Sequence, residues 1–140
     1  MPVDNLARSD VITAATDESA KELATTMDNE DVGSVVIVDE SDPVGIVTDR
    51  DLTLQVVAAG DHPDELTAAD VMSTDLCTVA HDSGFYKATE LMSEHGIRRL
   101  PVTDSNGELT GIITIDDLNE LLADEHQQLA DVVQAQRPPY

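Results

Sequence analysis

An octapeptide that occurs twice limits what this chain can fold into more than any other feature of its sequence. The two copies, residues 45–52 (GIVTDRDL) and 111–118 (GIITIDDL), lie in a chain of 140 residues. The apolar half of each copy predicts a short buried strand, and the acidic half predicts the first turn of a helix. A strand that passes directly into a helix leaves backbone N–H groups unpaired, and these can face a ligand. The repeated junction therefore predicts two related sites.

The duplication extends well beyond the octapeptide. Eleven identities fall in order when the two halves are aligned with a single inserted residue. They pair Asp10, Thr13, Ala15, Asp17, Met27, Asp39, Gly45, Ile46, Thr48, Asp51 and Leu52 with Asp75, Thr78, Ala80, Asp82, Met92, Asp104, Gly111, Ile112, Thr114, Asp117 and Leu118. We infer an internal duplication. The first unit spans residues 3–60, a connection spans 61–67, a second unit with an extended last helix spans 68–133, and a tail spans 134–140.

Each unit is predicted to contain a strand, a helix, two strands and a second helix, which makes the fold class α/β (α+β by some schemes). Predicted strands cover residues 11–14, 32–38 and 44–48 in the first unit and 76–79, 97–103 and 109–114 in the second. Thr16-Asp17 and His81-Asp82 are predicted N-caps of the first helix of each unit, and Asn29 and Gly96 are predicted to end those helices. Pro101 predicts a strand edge or an interrupted ladder.

The charge balance excludes several partners. The chain has 29 acidic and 7 basic residues and a formal net charge of −22, which resembles the composition of proteins from extreme halophiles. Duplex nucleic acid and anionic membranes require a basic face, so neither is an expected partner. Cys77 is the single cysteine and can form no intrachain disulfide. The sequence shows no signal peptide and no run of transmembrane length, so a soluble cytoplasmic protein is expected.

The repeated pattern resembles a tandem pair of cystathionine-β-synthase-type (CBS) domains, the Bateman module. The resemblance rests on the Gly-Ile-[Val/Ile]-Thr-x-x-Asp-Leu motif, on the lead-in over residues 70–75 and on residues 98–104. It covers most of the chain and implies a stand-alone module of two pseudo-twofold units packed through their sheets, with two clefts between them. It also implies a regulatory adenosine-containing ligand (AMP, ADP, ATP or S-adenosylmethionine), a homodimer and a regulated partner protein.

The resemblance assigns roles to residues of both copies. Asp51 and Asp117 would accept hydrogen bonds from a ribose diol, helped by Thr48 and Thr114. The adenine would lie among residues of both units, namely Thr13, Ala14, Val32, Gly33, Ser34, Ile46, Thr78, Val79, Ile97 and Ile112. Phosphate groups would bind Arg50, Arg98 and Arg99, because arginine contacts phosphate in a bidentate manner. Asp116 would repel phosphate, which favours the Asp51 cleft as the site for a phosphorylated ligand.

Several alternatives remain open from the sequence. Thr48-x-x-Asp51 and Thr114-x-x-Asp117 also fit helix capping boxes, which need no ligand. Arg50 can instead pair with Asp49 at the surface. No catalytic residue set, no metal-ligand spacing and no phosphate-binding loop stands out. The sequence therefore predicts a regulatory sensor of adenine nucleotides that is not an enzyme. The alternatives are a dimerisation scaffold with vestigial clefts and a small enzyme acting on nucleotides.

Overall fold

Two repeated units, each built on a three-stranded sheet, make up the chain in a computed structural model that describes residues 1–139. After a 3₁₀ turn at Val3–Asn5, the first unit contains β1 (Thr13–Ala15), α1 (Ala20–Glu30), β2 (Ser34–Asp39), β3 (Asp42–Thr48) and α2 (Asp49–Leu52), which continues as a π-helical segment at Thr53–Val57. A short helix, α3 (Ala68–Val71), leads to the second unit, which contains β4 (Val79–Ala80), α4 (Phe85–His95), β5 (Arg99–Thr103), β6 (Leu109–Thr114) and α5 (Ile115–Ala135). The predicted fold class and the order of elements are confirmed.

The two sheets have the same topology. In each unit the central strand pairs in parallel with the first strand and antiparallel with the third, giving the orders β1-β2-β3 and β4-β5-β6. Each central strand, β2 and β5, buries three consecutive apolar residues at its middle, while its ends are partly or fully exposed. The first helix of each unit packs Met27 or Met92 into the core of its own unit.

The segments that precede the units are exchanged between them. Val3 is fully buried in the core of the second unit, whereas Ala68 and Val71 are buried in the core of the first. The exchange is fixed by reciprocal backbone hydrogen bonds, between Arg8 and Ile112 and between Ser73 and Ile46. Because each unit completes its core with a segment from the other half of the chain, the units are interlocked.

The repeated glycines of the octapeptide make room for these exchanged segments. A Cβ atom on Gly111 would lie 3.0 Å from the carbonyl oxygen of Arg8 and 3.2 Å from Cβ of Ala7. A Cβ atom on Gly45 would lie 2.6 Å from Sδ of Met72. Both glycines are therefore required by close approach of another chain segment rather than by a turn.

The predicted N-caps are wrong. The caps are Ser19, whose hydroxyl accepts the N–H of Glu22 at 3.1 Å, and Gly84, so both helices begin later than predicted. The first helix also continues past Asn29 to Glu30 and ends at Asp31 in the left-handed conformation (φ 54°), at the position that Gly96 (φ 63°) occupies in the second unit. Aspartate tolerates this conformation because its side chain can bond locally.

Pro101 interrupts a ladder inside the sheet. It is buried in the central strand β5. In the first unit, strands β1 and β2 pair over three residues, whereas the equivalent strands β4 and β5 of the second unit pair over only two. The residue of β2 that is equivalent to Pro101 is Val36, which pairs with Thr13. The N–H of Val36 donates to the carbonyl oxygen of Ile12 at 3.0 Å. Proline has no N–H to donate, so β4 begins one residue late.

Within residues 1–139, none of the helices combines the length and the apolar composition that a membrane span requires.

Candidate functional site

Two clefts of similar size lie where the ends of strands from the two units meet. The Thr48 cleft has a volume of about 400 Å³ and is lined by Ile46, Thr48, Asp49, Arg50, Ser73, Asp75, Leu76, Cys77, Gly96, Ile97, Arg98, Arg99 and Pro101. The Thr114 cleft has a volume of about 390 Å³ and is lined by Arg8, Asp10, Val11, Ile12, Glu30, Asp31, Val32, Gly33, Ser34, Val36, Arg99, Ile112, Thr114 and Asp116. Clefts of this size can hold a nucleoside.

Each cleft combines the end of the third strand of one unit with the start of the central strand of the other. In the Thr48 cleft, Ile46 near the end of β3 shares the lining with Ile97 just before β5. In the Thr114 cleft, Ile112 on β6 shares the lining with Val32 just before β2. The segment before the first strand contributes as well, through residues 75–77 in one cleft and 10–12 in the other. The clefts are thus related by the same duplication as the units.

Thr48 and Asp51 form a capping box beside the Thr48 cleft. The Asp51 carboxylate accepts the backbone N–H of Thr48 at 2.8 Å through Oδ2, and the N–H of Asp51 donates to the Thr48 hydroxyl at 3.1 Å. Within residues 1–139, the other carboxylate oxygen, Oδ1, has no hydrogen-bond partner. Asp51 is half-buried and hydrogen-bonded to the lining residue Thr48, and its Oδ1 atom retains the capacity to accept hydrogen bonds from another molecule.

The equivalent box in the Thr114 cleft is closed by an arginine. Oδ2 of Asp117 accepts the N–H of Thr114 at 2.8 Å, and the N–H of Asp117 donates to the Thr114 hydroxyl at 3.3 Å, which completes the capping box. The same hydroxyl donates to Oδ2 at 2.9 Å. Oδ1 accepts Nε and Nη2 of Arg8 at 3.2 and 3.0 Å. Asp117 is 8% exposed, and its hydrogen bond raises the pKa of the Arg8 guanidinium above its ordinary value. Ser73 takes the place of Arg8 in the other cleft. Oδ1 of Asp117 is therefore occupied by an arginine, whereas Oδ1 of Asp51 is not.

The two clefts also differ in charge. Three arginines and two carboxylates line the Thr48 cleft, whereas two arginines and four carboxylates line the Thr114 cleft. Within residues 1–139, Arg50, Arg98 and Arg99 form no ion pair, although the chain has 29 acidic residues. The predicted alternative pairing of Arg50 with Asp49 is replaced by a backbone contact, in which the N–H of Arg50 donates to Oδ1 of Asp49 at 2.8 Å. The Thr48 cleft is therefore a local concentration of unpaired positive charge.

Arg99 belongs to both clefts. A Cβ atom built on Gly33 would lie 3.8 Å from Nη2 of Arg99 and 3.5 Å from Oδ2 of Asp49. The guanidinium of Arg99, which belongs to the second unit, thus extends into the space beside Gly33 and Ser34 of the first unit, which have small side chains. Its own equivalent, Ser34, is too short to make the reciprocal contact.

Cys77 lines the Thr48 cleft and is half-buried. Burial raises the pKa of its thiol, and the negative charge of Glu94 raises it further, while Lys87 opposes both effects. The thiol group lies 3.9 Å from Nδ1 of His95. A thiol with a raised pKa is mostly protonated at neutral pH and reacts slowly.

The structure brings most of the predicted site residues to the clefts. Thr48, Arg50, Arg98, Ile46 and Ile97 line the Thr48 cleft, Thr114, Ile112, Val32, Gly33 and Ser34 line the Thr114 cleft, and Arg99 lines both. Asp51 and Asp117 are not lining residues, but they are hydrogen-bonded to the lining threonines Thr48 and Thr114. Four residues lie elsewhere: Ala14 and Val79 are buried in the cores, and Thr13 and Thr78 are not among the lining residues.

Sequence reasoning placed Thr13 and Thr78 in the clefts and missed the residues just before them, 10–12 and 75–77, which line the clefts instead. Asp10 and Asp75 and their successors line the clefts because the first strands begin later than predicted, which leaves residues 10–12 and 75–77 in extended segments. The repeat contained a signal for them, since Asp10 and Asp75 are one of its eleven identities. No local pattern pointed to Arg8, whose partner Asp117 is 109 residues away.

Comparison with known families places both halves of the chain in one family. The sequence profile of the CBS domain matches residues 3–57 and again residues 68–124. Among relatives, the uncharacterized protein MK0525 of Methanopyrus kandleri is 49% identical over 117 residues, which cover 83% of this chain and 60% of that protein. The CBS domain-containing protein YhcV of Bacillus subtilis is 34% identical over 108 residues, covering 77% of this chain and 76% of YhcV. The chain thus spans less than two thirds of the Methanopyrus protein.

A solved structure agrees with the fold. The CBS domain pair of protein MJ0100, determined in complex with 5′-methylthioadenosine and S-adenosyl-L-methionine, superposes with a TM-score of 0.80. The two chains are 25% identical, and the match covers 89% of this chain and 98% of the MJ0100 pair.

Proposed function

This chain belongs to the CBS domain family, in which it forms a tandem pair of the regulatory ligand-binding type, and from that premise we propose that its Thr48 cleft binds a phosphorylated adenosine ligand. AMP, ADP and ATP are the ligands that fit this chemistry best. The observation that carries the proposal is a cluster of three arginines around one cleft, none of which forms an ion pair with another described residue, in a protein with a net charge of −22. Retained cations that have no intramolecular partner are expected to serve an anion.

The ribose would bind at the free oxygen of Asp51. A carboxylate oxygen can accept both hydroxyls of a diol, and Oδ1 of Asp51 is available while Oδ2 holds the cap. The Thr48 hydroxyl accepts one N–H and retains its own hydrogen to donate to the ligand. Ile46 and Ile97 supply apolar walls for the adenine from opposite units.

Binding would regulate rather than catalyse. Because the ligand would contact both units at once, it would favour the relative orientation of the units in which those contacts are best. A partner protein would respond to that orientation, and the response cannot exceed the difference in affinity of the ligand for the two orientations. The MJ0100 pair, which was solved with 5′-methylthioadenosine and S-adenosyl-L-methionine, supports the proposal of an adenosine-containing ligand.

We also propose a homodimer that uses equivalent helices of the two units. The segment Thr53–Val57 exposes Leu54 (50%) and Val57 (76%), and α5 exposes Leu122 (44%), Leu129 (66%) and Val133 (70%). Apolar side chains concentrated on two helices of a highly charged surface favour association with a second copy.

Isothermal titration calorimetry in molar KCl tests the binding proposal. AMP should bind wild-type protein more tightly than adenosine, and Arg98→Gln should weaken AMP binding about tenfold, the value of one charge-assisted contact, while leaving adenosine binding unchanged. Asp51→Ala should weaken both ligands. Lys87→Gln, on the exposed Lys87–Glu90 pair, is the matched control for loss of a cation and should change neither.

The same titrations distinguish the alternative of a dimerisation scaffold. That alternative is favoured if AMP, ADP, ATP and S-adenosylmethionine all fail to bind, since the Thr-x-x-Asp boxes would then serve as helix caps alone. Loss of all AMP binding in Asp117→Ala, with binding retained in Asp51→Ala, would move the site to the other cleft.

A further inference from the structure

We propose that Arg99 is a single anion-binding group shared by the two clefts, so that a phosphorylated ligand in the Thr48 cleft weakens the binding of an anion in the Thr114 cleft. This inference rests on the proposed function of the Thr48 cleft and adds a coupling between the clefts. The observation behind it is that, among residues 1–139, Arg99 is the one residue that lines both clefts.

The geometry of Arg99 explains how one side chain serves two sites. Its backbone lies at the start of β5 on the Thr48 side, together with Arg98. Its guanidinium end lies 3.8 Å from the position of a Cβ atom on Gly33, a lining residue of the Thr114 cleft. A long side chain that is half-buried between two open spaces, with no ion pair among residues 1–139, can turn its donors towards either one.

The charges determine the sign of the coupling. In the Thr48 cleft an anion would also meet Arg50 and Arg98, whereas in the Thr114 cleft Arg8 is already held by Asp117 at 3.0 Å. Arg99 is therefore the one lining cation of the Thr114 cleft without an ion pair among the described residues, and it stands against Asp10, Glu30, Asp31 and Asp116. When a phosphate in the Thr48 cleft draws Arg99 to itself, the Thr114 cleft is left with excess negative charge and repels a second anion.

Cys77 allows a direct test, because it is the single cysteine and it lines the Thr48 cleft alone of the two. The thiol, which lies 3.9 Å from Nδ1 of His95 at the border of the Thr48 cleft, is alkylated with N-ethylmaleimide or with N-(2-carboxyethyl)maleimide. The two adducts are of similar size next to this cleft, and the second carries a carboxylate. AMP is then titrated into each adduct in molar KCl, where distant charges are screened. We expect the neutral adduct to bind AMP in the Thr114 cleft, and the anionic adduct to bind it at least threefold more weakly.

Two variants identify the group responsible. In Arg99→Gln the difference between the adducts should disappear, and in Arg98→Gln, which removes a neighbouring cation that lines the Thr48 cleft alone, the difference should persist. Equal AMP affinity in the two wild-type adducts, or a difference that survives in Arg99→Gln, would overturn the inference.

Failure of the underlying function looks different in the same experiment. If unmodified protein binds AMP and neither adduct does, the Thr114 cleft is no anion site, and the shared role of Arg99 is refuted while the proposed function stands. If unmodified protein binds no adenosine ligand, both proposals fail together.

Discussion

Nη2 of Arg8 lies 3.0 Å from Oδ1 of Asp117, and this contact joins the N-terminal lead-in to the first turn of α5 across 109 residues of sequence. The carboxylate is 8% exposed and the guanidinium 61% exposed, so the pair is a buried anion held by a cation that water still reaches. The contact stabilises the exchanged arrangement of the lead-ins. It also removes from the Thr114 cleft the carboxylate oxygen that Asp51 keeps free in the Thr48 cleft.

This asymmetry predicts that the two equivalent aspartates contribute differently to stability. Asp51→Ala removes a capping box and should lower the free energy of unfolding by about 1 kcal/mol. Asp117→Ala removes the same box together with the partner of Arg8, and should lower it by roughly 2–3 kcal/mol. Urea denaturation of both variants at one fixed KCl concentration measures the difference. Equal losses would mean that the Arg8 contact adds nothing to stability.

The glycines that accommodate the exchanged lead-ins should not tolerate a methyl group. Gly111→Ala places a Cβ atom 3.0 Å from a backbone oxygen, which cannot rotate away, and should lower the free energy of unfolding by about 1–3 kcal/mol. Gly33→Ala is the matched control, because a Cβ atom there would lie no closer than 3.5 Å to another atom, which is ordinary van der Waals contact, and Gly33 caps no helix. The control should change stability by less than about 0.5 kcal/mol. A Gly111→Ala protein as stable as the control would contradict the close approach of Arg8.

The rate of alkylation of Cys77 should depend both on pH and on whether a ligand occupies the Thr48 cleft. Its pKa is raised chiefly by burial, and only the thiolate reacts, so alkylation by iodoacetamide should be slower than that of glutathione at pH 8 and should accelerate as the pH rises further. Saturating AMP should slow the reaction, because the ligand would occupy the cleft that Cys77 lines. Mass spectrometry of the alkylated fraction against time measures both effects. A rate that AMP leaves unchanged would indicate that the nucleotide binds elsewhere.

The net charge of −22 predicts a strong dependence of stability on salt. Like charges on a folded chain repel one another, and molar KCl screens that repulsion, so the midpoint of thermal unfolding should rise from low to molar KCl. Sucrose at matched osmolarity is the control, because it excludes itself from the protein surface without screening charge. An equal rise of the unfolding midpoint in sucrose and in KCl would mean that exclusion of the solute from the protein surface, and not screening of charge, causes the stabilisation.

The exposed apolar residues predict a dimer that a charge can dissociate. Light scattering after gel filtration should give twice the chain mass of 15.0 kDa. The double variant Val57→Asp and Leu122→Asp should give the mass of one chain, because it places charges on both exposed helical surfaces. Tyr86→Asp, which replaces an equally exposed apolar residue on α4, should remain dimeric. A monomeric wild-type protein would refute the proposed interface.

The duplication, the order of elements and the residues of the octapeptide that cap the last helices could all be predicted from sequence, because each depends on local periodicity and on hydrogen bonds between near neighbours. Pro101 was likewise informative, since a missing donor has the same consequence in any sheet. The first two strands of each unit begin two or three residues later than predicted, whereas β3 begins two residues earlier and β6 begins where it was predicted. The first helix of each unit also begins later than the nearest capping residues suggested. These boundaries depend on the register of the parallel strands, which distant residues set.

What the tertiary structure alone decided is that Asp51 keeps a free carboxylate oxygen while Asp117 is bound by Arg8, and that Arg99 reaches both clefts. The sequence pairs Asp51 with Asp117 and Thr48 with Thr114 as equivalents, and nothing local distinguishes a carboxylate with a free oxygen from one already bound. Folding brings Arg8 onto Asp117 and carries Arg99 across to Gly33, because the exchanged lead-ins and the facing strand ends place residues from opposite halves of the chain side by side. Contacts of that kind arise from the packing of the units, which local patterning does not encode.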